Sequence, residues 1–126
     1  MAFKYYNNNP LKKRTGDCVI RATALALGKD WNEASDLLHQ KSKQGCCEMS
    51  CLCCYKDLFD NDFKFKRVFD GEDYITAGEI AMLHKDKVLL IRIDGHLTCS
   101  KNGIIYDTWD CSDLEADIAW EVKKDG

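Results

Sequence analysis

Hydrophobic and polar positions alternate between two periods along this chain, and the change of period outlines the fold. Ala22, Ala24, Leu25, Ala26 and Leu27 supply strong helix formers for a helix over 18–27, closed by Gly28, which enters the left-handed conformation without a Cβ penalty. Asp30 and Glu33 form a capping-box pair that opens a second helix, with Trp31, Ala34, Leu37 and Leu38 at helical spacing and predicted to face the core. Phe63 to Phe69 begins in strict alternation and reads as a strand whose Lys and Arg residues are wet. Thr76 and Glu79 open a short helix through His84. Val88 to Ile93 is almost continuously apolar, which fits a central strand covered on both faces. Asn102-Gly103 between Leu97–Cys99 and Ile104–Tyr106 is a tight hairpin signal. Ala119 to Val122 reads as a closing strand, and residues 1–14 as an irregular arm. Helices first and strands later predict an α+β domain with a mostly antiparallel sheet.

Composition narrows the classes. At 126 residues the chain has the length of one domain, 1–126. A net charge of −3 with mixed signs offers no basic face for nucleic acid. No apolar run approaches the roughly 20 residues that span a bilayer, so no membrane partner is expected. The first 14 residues are polar and basic without an apolar segment, and a cytoplasmic location is the expectation.

Eight cysteines are many for this length. In a cytosolic protein they are read as reduced thiols rather than as a disulfide framework. Five of them fall within nine residues, Cys46, Cys47, Cys51, Cys53 and Cys54, in a Cys-rich insertion at about 45–55. Only Cys51 and Cys54 have CxxC spacing, and no second knuckle follows. A helical segment using Cys as a small apolar residue is the leading reading. A soft-metal or redox site drawn from Cys46, Cys47, Cys51 and Cys54 and a disulfide within the cluster are the alternatives, and no cofactor is expected.

Cys18 differs from this cluster by its position. It opens a helix, where the positive end of the dipole stabilises a thiolate, the form that attacks carbon. His96 begins a strand, and Asp107 lies across the Asn-Gly hairpin on the returning one. Nucleophile, base and orienting acid in that order have the logic of a Cys-His-Asp triad. Asp110 and Asp113 could replace Asp107, and His84 is the second candidate for the base. Thr15 or Asp17 can cap the helix through a side-chain oxygen; Asp17 beside Cys18 opposes ionisation of the thiol, a cost that capping reduces.

The Gly16-Asp17-Cys18 start, the Gly95-His96 pair and the run Tyr106-Asp107-Thr108-Trp109-Asp110 resemble small single-domain papain-like cysteine peptidases of bacteria and phages. The likeness covers roughly residues 5–38 and 75–122. It implies a papain-like fold with the Cys-bearing helix packed on the sheet, Cys18 as nucleophile, His96 as base, Asp107 as orienting acid and Trp109 as a shield of the His–Asp contact. It implies a protein or peptide substrate cleaved through a thioester. The sequence departs from the pattern at Lys12, where the family carries an oxyanion-hole Gln. Asn7, Asn8, Asn9 and Thr15 are the nearby side chains that could donate instead. Two alternatives follow: a weakly active or inactive scaffold that binds a protein, and a metal or redox protein centred on the cysteine cluster.

Overall fold

A computed structural model describes residues 3–10, 17–45, 48 and 51–122, and the statements below concern those residues. In chain order the elements are β1 (Phe3–Tyr5), α1 (Cys18–Leu27), α2 (Trp31–Gly45), α3 (Leu52–Asp57), β2 (Lys66–Phe69), α4 (Ala77–Leu83), β3 (Leu89–Ile93), β4 (His96–Lys101), β5 (Ile104–Asp107) and β6 (Ala116–Glu121). The strands form one six-stranded mixed sheet in the order β1-β5-β4-β3-β6-β2. Every neighbouring pair is antiparallel except β1 with β5. The architecture is therefore α+β, with helices on both faces of the sheet.

Side-chain alternation sorts the central strands between two cores. Leu90, Leu97, Cys99, Ile118 and Trp120 pack against α1, α2 and α3. Leu89, Ile91, Ile93, Ile105 and Ala119 pack against Ala77, Ile80 and Ala81 of α4. This double coverage is why β3 reads as an unbroken apolar run. Trp120 is fully buried and meets Phe59 edge-on at 5.1 Å and Tyr55 at 6.3 Å between ring centroids. Its indole N–H donates to Asp60 at 2.8 Å, so the ring is buried with its polar atom satisfied.

Local signals explain the element ends. Gly28 closes α1 at φ +67°, with its N–H and the next one returning to Leu25 and Ala24 carbonyls. The Asp30–Glu33 pair is reciprocal, at 2.8 and 3.2 Å, as is the Thr76–Glu79 box. Asn102 and Gly103 both have positive φ, which matches the right-handed twist of the β4–β5 hairpin.

Three expectations are corrected. The arm before α1 is not wholly irregular, because Phe3–Tyr5 adds a parallel strand beside β5. The strand expected from Phe63 starts only at Lys66, since Lys64 turns into the left-handed region at φ +55° and Phe63 stacks on Phe65 instead. Asp17 stands at the start of α1 but makes no side-chain cap; its carboxylate is used by other groups. No helix among the described residues is long and apolar enough to cross a membrane.

Candidate active site

The site is assembled where α1 crosses β4. Cys18 is the first residue of α1, so its backbone N–H lies ahead of the helix's own hydrogen-bond ladder. His96 opens β4 opposite Ile93, the last residue of β3. Pairing between β4 and β5 ends at Cys99 with Tyr106, and the next residue of β5, Asp107, lies beyond it. α1 reaches Asp107 at that point through Arg21.

Cys18, His96 and Asp107 come together there. His96 Nε2 meets Asp107 Oδ2 at 2.6 Å, and the imidazole lies close enough to Cys18 to lower its thiol pKa. Burial would favour neutral imidazole, but the hydrogen bonds to Asp107, Cys111 and Cys18 outweigh it and push the His96 pKa up to about 11. Burial likewise opposes ionisation of Cys18. The His96 contact, the Leu97 backbone and the charges of His96 and Arg21 prevail and lower the thiol from its ordinary 9.0. Asp107 is held below the usual carboxylate range by the same His96 contact and by the Thr108 N–H, against its own burial. Both shifts run in the direction that favours a thiolate–imidazolium pair. Trp109 lies tilted against the His96 ring at 4.9 Å between centroids.

A second layer fixes the first. Arg21 Nε donates to Asp17 Oδ1 at 2.8 Å, and its Nη1 donates to Asp107 Oδ1 at 3.1 Å. Asp17 Oδ2 accepts from Trp31 Nε1 at 2.9 Å and Asn9 Nδ2 at 3.0 Å. Burial opposes the Asp17 charge, yet these three donors keep its pKa low. The anion beside Cys18 is thus matched by Arg21, which removes the objection that Asp17 raises the thiol pKa. Trp31 is both a packing residue and a donor to this network.

The remaining candidates fall elsewhere. Asn9 is buried, and its amide donates to Asp17 Oδ2. Thr15, Cys46 and Cys47 lie outside the described residues. Cys51 and Cys53 are exposed and Cys54 is buried near the start of α3. Asp110 binds Ser112, and His84 ends α4 on the side of the sheet away from α1.

Cys111, Arg21, Tyr55 and Arg92 were not legible as site residues. Cys111 is fully buried, with its sulfur 3.7 Å from Asp107 Oδ2. The His96, Asp107 and Cys111 ligand atoms lie within 4.8 Å of one another, the one such trio among the described residues. Two ligands of a tetrahedral ion with bonds of about 2.0–2.1 Å sit about 3.3 Å apart. The 2.6 Å His–Asp contact is shorter, so the trio suits a shared proton better than a metal.

Beside Cys18 and His96 a cavity of about 240 Å³ opens between Val19, Leu52, Tyr55, Arg92 and Gly95. It can hold a side chain or a short acyl group next to the sulfur. A larger hollow of about 430 Å³ lies at the other end of β4, around Lys87, Lys101 and Glu121, and holds no nucleophile. Compared with known proteins, the chain matches no family model, no curated protein and no solved structure.

Proposed function

We propose that this protein is a papain-like thiol hydrolase, a peptidase or isopeptidase acting on a protein or peptide substrate. One observation carries the reading: Cys18 and His96 line one cavity, and the His96 ring that lowers the Cys18 thiol pKa is held from behind by the Asp107 carboxylate at 2.6 Å. With Nε2 held by Asp107, His96 has Nδ1 left to take the Cys18 proton. The thiolate attacks a carbonyl carbon, and the carbonyl π pair moves onto oxygen, where the Cys18 N–H meets it. Collapse re-forms the carbonyl and expels the amine, which takes the proton from His96. Water then attacks the thioester, returns a proton to His96 and releases the acid, restoring the thiol.

Alkylation tests it. Wild-type protein treated with low iodoacetamide at mildly acidic pH is expected to be labelled at Cys18 first, and Cys18→Ala to lose that label while keeping the fold. Labelling of Cys18 no faster than Cys51 or Cys53, which are exposed, would rule the hydrolase out.

A second reading, a protein-binding module with little or no activity on the same scaffold, draws on one fact. The Asn9 amide donates to Asp17 and the Asn8 amide to the Arg21 carbonyl, so both are engaged away from the oxyanion role that the family gives to a Gln. A partner whose binding survives both Cys18→Ala and His96→Ala would favour it.

A further inference from the structure

We infer that the hydroxyl of Tyr55 is the second oxyanion donor, completing with the Cys18 N–H the hole that the sequence lacks at Lys12. This rests on the thiol hydrolase reading and assigns a residue that reading leaves open. Tyr55 lies on α3, far from Cys18 in sequence, and lines the same cavity as Cys18 and His96. Its ring is locked between Phe59 and Trp120, so the hydroxyl has a fixed position.

Its hydrogen-bonding leaves the proton available. The Tyr55 oxygen accepts from Arg92 Nε at 3.1 Å, and Arg92 is in turn held by Asp117. A phenol that accepts one hydrogen bond still has its own O–H to give, and a cationic donor behind the oxygen strengthens that O–H. Burial holds the hydroxyl protonated against the pull of the Arg92 cation, and the charge on Cys18 acts in the same direction. Tyr55 thus senses the sulfur charge while remaining a donor. Apart from the Cys18–His96 pair, the cavity's side-chain polar groups are the Tyr55 hydroxyl and the Arg92 guanidinium, and the guanidinium has no acceptor.

Charge movement in the reaction fits this lining. Before attack the negative charge is on sulfur. Formation of the S–C bond moves it to the former carbonyl oxygen, two bonds from the sulfur. The net charge of the site is unchanged, and only its location shifts, from His96 toward donors aligned beforehand. Such preorganised donors lower the barrier because they need not turn when the charge arrives.

The test compares two reactions of one sulfur. Iodoacetamide alkylation forms a C–S bond and expels iodide without an oxyanion. Acylation by p-nitrophenyl acetate passes through one before p-nitrophenolate leaves. Tyr55→Phe keeps the ring in the core. It is expected to slow the p-nitrophenolate burst about 10²-fold or more, the usual effect of losing one such donor, with the Cys18 alkylation rate unchanged. Arg92→Met, which leaves the hydroxyl without its cation, is expected to slow acylation less, again with alkylation intact. An undiminished burst in Tyr55→Phe overturns the assignment, and so does a parallel fall in alkylation, which marks a structural role. Slow alkylation of wild-type Cys18 instead sinks the hydrolase reading itself, and this assignment with it.

Discussion

At the scale of single residues, one carboxylate sets the state of the site. Asp107 binds His96 through one oxygen and Arg21 through the other, and this favours imidazolium beside Cys18. Asp107→Asn removes the charge that raises His96. The imidazole then loses its proton at lower pH, Cys18 loses its cationic partner, and the thiol pKa climbs back toward 9.0. The acid limb of the alkylation rate against pH is expected to move to higher pH in this variant; an unmoved limb would separate Asp107 from the sulfur. Stability follows the same linkage with its own sign. The His96 pKa is raised from 6.5 to about 11, so its contribution is complete below pH 6.5 and fades as pH rises toward 11. The Asp107 contribution is present above its ordinary 3.8 and is lost on acidification through its lowered value. The melting-temperature gap between wild type and Asp107→Asn is therefore expected to be widest between about pH 4 and 6.5 and to narrow toward pH 11.

At the scale of elements, α1 is the pivot. Its first residue supplies the sulfur, and its second turn supplies Arg21, which ties the helix start to the end of β5 through Asp17 and Asp107. Arg21 is nearly buried, as are both carboxylates. Arg21→Met keeps the length of the side chain but strands two buried anions. Loss of one partner from a buried ion pair costs about 3–5 kcal/mol, and urea unfolding is expected to read a loss of that order. A shift under 1 kcal/mol would mean that solvent reaches these groups and screens them. Trp31→Phe removes one donor from the Asp17 carboxylate and leaves the apolar contacts of α2, so a smaller loss, about 1.5–3 kcal/mol, is expected.

At the scale of the whole molecule, the sheet carries a separate core on each face, and the site sits at the rim of the larger one. Trp120 is at the centre of that core, against Phe59 and the ring of Tyr55. Trp120→Ala is expected to cost about 3–5 kcal/mol and to loosen the Tyr55 ring. The His96–Asp107–Cys111 trio bears on the chemistry of the molecule as a whole. Its short His–Asp contact predicts that dialysis against a chelator leaves Cys18 alkylation unchanged. A rate that falls on chelation and recovers with zinc would assign the trio to a metal.

Much of this was legible in the chain because it depends on neighbours in sequence. The α+β class, the Gly28 helix stop, both capping boxes, the Asn102-Gly103 hairpin and Cys18 at a helix start all follow from local rules of backbone conformation and hydrogen bonding. What local rules do not reach is which distant groups meet. That Asp17 spends its carboxylate on Arg21, Trp31 and Asn9 instead of capping α1 was decided by packing, which brings three donors to one buried oxygen pair. Tyr55 and Arg92 read as an apolar-face residue and a lone charge in a hydrophobic strand. Only the folding of α3 against β3 makes them a donor pair beside the sulfur. Periodicity records which side of an element is buried; the identity of the group across the gap is set by tertiary contact alone.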